Sequence, residues 1–296
     1  MIELKYVQTL EGHEHPIYAL CPSEKEHIFF SAGGEAAVVE WSLKKMQPIK
    51  VMYKSSGSIY YLHSVKEYPY LISGDRNGVL SIFDFVKQQL IYQKQVSSAA
   101  IFNIKNIQNR LYFVNEKGEL YQFDLEKLEL VNTFKVSDQA LRTISIGINK
   151  LYVSGKDLKL YEFDLESNSI LSIQSSHTLP IFSSAFDSVE QALFTGSRDA
   201  HIKKWKSTDL MKEVPAHYFA VNDLQLDVNN EYLISASMDK SIKVWSKNLD
   251  LLAIADANKN KGHQKSVNRL SISKYEDYIL SASDDKNIFV WKIIKV

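Results

Sequence analysis

Eight histidines, one cysteine and 35 acidic side chains are the groups in this chain that could do acid-base, nucleophilic or metal chemistry. Their arrangement offers little for it. His13-Glu14-His15 sets two imidazoles around a carboxylate, as a metal site might, yet a closed zinc site takes four ligands and no second cluster follows along the chain. No Gly-x-Ser-x-Gly elbow and no phosphate-binding loop occurs. The small run Ser31-Ala32-Gly33-Gly34 reads as a hairpin turn rather than an anion cradle. Cys21 reads as a packed thiol and excludes an intramolecular disulfide framework. No catalytic residue, metal or cofactor is expected on these grounds.

The elements that would position any such group come from one phrase. Leu233 to Trp245 reads LISASMDKSIKVW, two short apolar runs around a polar turn, and predicts a β-hairpin. It returns as Leu280 to Trp291 and Phe194 to Trp205, more loosely as Phe30 to Trp41, and with a terminal Phe at Phe83, Phe123 and Phe163. The terminal aromatics at 41, 83, 123, 163, 205, 245 and 291 are spaced by 42, 40, 40, 42, 40 and 46 residues. A period near that length marks a repeat array. Seven copies use the whole chain, so one domain spanning residues 1–296 is expected.

Each hairpin has a further apolar run on either side, for example Val221 to Leu226 before and Leu251 to Ala255 after it. Four strands per unit make an antiparallel sheet that cannot bury both faces alone. Seven sheets set radially can, and the all-β fold expected is a seven-bladed propeller. Only Lys-Ile-Ile-Lys-Val follows Trp291, while Leu4 to Leu10 precede the first unit, so the amino-terminal strand is expected to complete the last blade.

Hydrophobic residues make up 45% of the chain, enough for a large core, and 35 basic residues balance 35 acidic ones. That balance points to neither nucleic acid nor an anionic membrane. No apolar run fits a signal peptide or a membrane span, and there is no Asn-x-Ser/Thr sequon. A soluble, cytoplasmic protein is expected.

The chain resembles the WD40 repeat family over its full length. The residues that carry the resemblance are Gly12-His13 and Gly262-His263, with His177 and His217 alone, the turn aspartates Asp199, Asp239 and Asp285, and Trp41, Trp205, Trp245 and Trp291. Asp84, Asp124 and Asp164 keep the acidic residue after the terminal aromatic. The resemblance implies a structural network in which His binds the turn Asp and a strand hydroxyl links to the indole. Here that means His177, Asp199, Thr195 and Trp205; His217, Asp239, Ser235 and Trp245; and His263, Asp285, Ser281 and Trp291. A fully paired buried network fits stability rather than catalysis. The same resemblance gives His13 a structural place, with Glu35 for the turn Asp. Units two to four lack the His and the Trp, so the fold without this polar stitching is expected there.

Tyr18 recurs in register as Tyr60, Phe102, Arg142, Phe182, Asn222 and Asn268. The resemblance places these where the inner strands begin, on the narrower face around the channel, where peptides bind. It places Gly34, Arg76, Glu116, Lys156, Arg198, Met238 and Asp284 on the same face. Four aromatics and an Arg make an amphipathic rim of the kind enriched at binding hot spots. Arg76, Arg142, Lys156 and Arg198 would give it a basic side suited to a short acidic or phosphorylated segment, opposed by Glu116 and Asp284.

The function expected is a non-enzymatic scaffold for a protein or peptide partner, as a monomer or as a subunit of a hetero-complex. The alternatives are an enzyme with a site at the channel mouth, RNA stacking on the rim, which the neutral net charge opposes, or aromatics that merely fill the channel. The polar link Asp256 to Lys265 reads as a tolerated loop insertion, with a partner contact as the alternative.

Overall fold

The computed structural model describes residues 2–256 and 262–295; residues 257–261 of the lysine-bearing link lie outside the described residues. Every regular element among them is a strand, and the 28 strands form seven sheets of four. The innermost strands are Ile17–Pro22, Ile59–Ser64, Ile101–Ile107, Leu141–Ile146, Ile181–Asp187, Val221–Leu226 and Val267–Ile272. Each lies beside the next, and the last lies beside the first, so the sheets are the blades of a closed ring.

Burial explains the repeated phrase. The second strand of a blade is covered on both faces by its neighbours, as in Ile28–Gly33 and Ala192–Ser197, where all six residues are buried. Only small or apolar side chains fit both faces at the sheet-to-sheet distance, hence runs such as Phe-Thr-Gly-Ser and Ile-Ser-Ala-Ser. The outermost strands, Gln47–Lys54 and Glu129–Lys135 among them, are mostly exposed and carry charge along their free edges.

The amino terminus closes the ring. Ile2–Leu10 pairs antiparallel with Ile288–Lys295, from Ile2 opposite Lys295 to Leu10 opposite Ile288. Leu4 and Leu10 are buried in the cores on either side of this seam. The terminal strand is therefore a fourth strand of blade 7 and part of two hydrophobic clusters.

At the tight turn of every blade one residue is left-handed: Ala36, Gly78, Gly118, Leu158, Ala200, Lys240 and Lys286, with φ between 59° and 79°. In blades 2 and 3 this must be glycine. A Cβ on Gly78 would stand 2.0 Å from the Ser97 carbonyl oxygen, and one on Gly118 equally close to that of Ser137.

Candidate functional site

Four of the eight histidines, His13, His177, His217 and His263, are committed to the blades. His177 Nδ1 lies 2.9 Å from Asp199 Oδ2 and its Nε2 2.9 Å from Thr195 Oγ1, which also accepts the Trp205 indole N–H. His217 joins Asp239 and Ser235, with Trp245 donating to Ser235. His263 joins Asp285 and Ser281, with Trp291 donating to Ser281. In blade 1, His13 bridges Glu35 and Ser31, and Trp41 donates to Ser31.

Burial pushes the Asp199, Asp239 and Asp285 carboxyls up, but the hydrogen bonds from histidine and from backbone amides outweigh it and hold all three below the usual range. Burial also pushes His217 below its ordinary value, despite Asp239. The pair is thus a neutral imidazole donating to a carboxylate, which leaves no base to spare. Among the described residues no group of three or more His, Cys, Asp or Glu comes together.

Blades 2 to 4 depart from expectation: they have polar stitching of another kind. Fully buried Asp75 accepts from Ser55, Ser56 and the Gly57 amide through Oδ2 and from the Asn77 and Val79 amides through Oδ1. Asn115 occupies the same register in blade 3 and binds Ser97 and Glu119. In blade 4, Asp157 accepts from Ser137 and Tyr161. A buried carboxylate must be satisfied. In blade 2 the carboxylate comes from the end of the second strand, Asp75, rather than from the turn, a shift that a search for His and Trp passes over.

The rim is built by a repeated irregularity. In all seven blades the ladder between the first two strands slips by one residue, and the extra residue is Tyr18, Tyr60, Phe102, Arg142, Phe182, Asn222 or Asn268. A bulge re-aims its side chain. Here it turns each one off the blade face and toward the axis. A second constraint locks the facing turn: the amides of Gly34, Arg76, Glu116, Lys156, Arg198, Met238 and Asp284 each donate, at 2.8–3.0 Å, to the carbonyl two residues before the bulge.

Five of the seven side chains form one ladder. Tyr18 meets Tyr60 edge-on at 5.5 Å, Tyr60 meets Phe102 at 5.6 Å, and the Arg142 guanidinium lies 3.8 Å from the Phe102 ring centre and 5.8 Å from that of Phe182. Burial lowers the Arg142 pKa, against the pull of Glu116. Asn222 and Asn268 instead tie blades together. Asn222 donates to Val267 O and Ser266 Oγ, and Asn268 to Ile17 O and Asp284.

All seven bulge residues line one open cavity of about 510 Å³, together with Arg76, Glu116 and Arg269. Lys156 and Arg198, in the same turn register as Arg76, are exposed and do not line it. The positive side of the mouth is therefore three arginines, with Glu116 as its acidic member.

The family model for the WD domain, G-beta repeat, matches residues 4–42, 168–206, 208–246 and 257–292. This chain belongs to the WD40 family. The matched segments are the four blades that carry His and Trp, while blades 2 to 4 of this WD40 propeller, which end in Phe, lie outside the match and are seen in the sequence period and in its sheets. A comparison with curated proteins returns no match. WD40 propellers typically bind protein partners and are typically non-enzymatic. No helix among the described residues is long and apolar enough to cross a membrane.

One tier below the rim lie residues that sequence reasoning missed. Arg269 donates to Tyr18 O at 3.2 Å and Tyr60 O at 3.3 Å, and packs over the Tyr61 ring at 4.9 Å. It faces Asp223, whose carboxyl is pushed up by burial in spite of Arg269. The signal was available: Tyr61, Asn103, Thr143, Ser183, Asp223 and Arg269 follow the bulge residues on the same clock, as a polar column in apolar strands.

Proposed function

We propose that this WD40 protein is a non-enzymatic scaffold that captures an acidic or phosphorylated segment of a protein partner across the channel rim. The observation that carries the reading is the ladder Tyr18, Tyr60, Phe102, Arg142, Phe182, open to a cavity that also holds Arg76 and Arg269. Aromatic faces and guanidinium forks are the groups that carry binding energy at interfaces and recognise carboxylates and phosphates. Blade 6 adds Tyr218, Phe219 and Met238 on the same face, 89%, 58% and 55% exposed, as apolar anchors beside the charged mouth.

The reading includes a cytoplasmic setting, as a monomer or as a subunit of a hetero-complex; the one thiol, Cys21, is buried and pushed up to about 12 by that burial, which makes it inert. The test is a peptide array of acidic and phosphorylated segments probed with the wild type and with the Phe102→Ala/Phe182→Ala double variant. Loss of capture by a folded double variant supports the rim as the binding surface. Equal capture by both, with a lower melting temperature for the variant, would make the aromatics a channel filling and end the proposal.

A further inference from the structure

The axial passage continues beneath the rim. Phe182 and Arg269 line both the rim cavity and a second one of about 280 Å³. Tyr61, Lys105 and Gln225 line that second cavity and also a third, of about 370 Å³, at the far ends of the inner strands. Three cavities sharing wall residues make one passage through the ring.

Two cations face each other's field inside it. The Lys105 ammonium lies 5.6 Å from the centre of the Tyr61 ring, and the Arg269 guanidinium 4.9 Å from the same centre. One carboxylate stands with them, Asp223, whose Oδ1 is 3.7 Å from Arg269 Nη1. Its oxygens are already taken up by the Leu224 amide at 3.0 Å and the Leu270 amide at 2.8 Å. Among the described residues no carboxylate reaches Lys105 within ion-pair distance. Burial pulls the ammonium toward neutrality, but the Tyr61 hydroxyl and Asp223 outweigh it, so Lys105 stays charged. His63, beside it, is pushed down to about 4 by burial and by Lys105, and adds no compensating charge. At the outer lip Glu24 and Glu26 share the wall with Lys274.

Two polar atoms on the walls are also unmatched. Asn103 Oδ1 and Ser271 Oγ receive no hydrogen bond from the protein, although the residues are only 6% and 4% exposed. A buried carbonyl oxygen calls for a donor. Two cations set against one engaged carboxylate call for an anion, since net charge in a partly dry passage is costly.

We propose that the passage between Lys105 and Arg269 binds a small phosphate-type oxyanion, either inorganic phosphate or a phosphate monoester with a hydroxylated body. Lys105 and Arg269 supply the charge, and Asn103 Oδ1 accepts from a P–OH or a ligand hydroxyl. That last contact separates phosphate from sulfate, which carries no donor at neutral pH. The passage shares Phe182 and Arg269 with the rim cavity, but Lys105 and Asn103, through which it is tested, do not line that cavity, so either reading can hold without the other.

The test is calorimetric titration of the full chain with inorganic phosphate, glycerol 3-phosphate and sulfate at matched ionic strength. One phosphate or glycerol 3-phosphate should bind per chain, the tighter of the two naming the source, with sulfate weaker by about tenfold or more. Lys105→Met should lose about tenfold or more in affinity while Lys105→Arg retains binding. Asn103→Asp guards against a misfolded Lys105→Met: its carboxylate can neutralise Lys105, so it should fold and abolish phosphate binding. No binding to the wild type, sulfate binding as tight as phosphate, or unchanged affinity in Asn103→Asp would each overturn the proposal.

Discussion

The Arg142 guanidinium lies 3.8 Å from the centre of the Phe102 ring and 5.8 Å from that of Phe182, so one cation joins the rim residues of three consecutive blades. Stacking of this kind contributes roughly 0.5–2 kcal/mol. Arg142→Ala should therefore lower stability by about that much in chemical denaturation, and weaken capture of an acidic peptide about tenfold or more in fluorescence anisotropy. Arg142→Lys keeps the charge but not the planar stack, and should restore capture only in part.

Ring closure predicts a large effect from a small deletion. Removing residues 2–10 takes away the pairing strand of Ile288–Lys295 and two buried leucines, Leu4 and Leu10. Loss of a buried Leu side chain alone costs about 2–5 kcal/mol. The truncated chain should show no cooperative thermal transition near that of the full chain, and a synthetic peptide of residues 2–10 should bring one back. A sharp, unshifted transition in the truncated chain would contradict the seam.

Two pH windows should appear in stability. His63 and His217 have folded pKa values below the ordinary one, so their contribution is complete above about 6.5 and falls away as pH drops toward the folded values, about 4 for His63. Asp199, Asp239 and Asp285 are also depressed, so their contribution holds above about 4 and is lost only below it. Denaturant midpoints should thus be flat above neutrality, slope between about 6.5 and 4, and drop steeply below. His63→Gln, which can still donate to Asn106 Oδ1, should reduce the upper slope to the share of His217 and leave the lower one.

The left-handed turn position should respond differently in different blades. Gly78→Ala drives a Cβ to 2.0 Å from the Ser97 carbonyl oxygen and should cost roughly 2 kcal/mol or more. Ala200→Gly, at the equivalent place with φ of 67°, should change stability by less than about 1 kcal/mol. Paired urea titrations of the two variants check both.

The period of the terminal aromatics was enough to count the blades, to find the closing strand and to number the seven rim positions from Tyr18 to Asn268. It was enough because each blade buries its second strand on both faces, and that local demand writes the same small and apolar phrase into every unit. Periodicity could not tell which rim side chains work together. Tyr18 through Phe182 stack because bulges aim neighbouring blades at one another, whereas Asn222 and Asn268 reach across to the next backbone.

Lys156 and Arg198 sit in the same register as Arg76 yet leave the cavity, since a turn residue's backbone position does not set where a long side chain goes. The stitching by Asp75 and Asn115, and the convergence of Tyr61, Lys105, Asp223 and Arg269, join residues from different strands or blades. Such meetings depend on how the ring closes about its axis. Spacing along a chain carries no record of that distance.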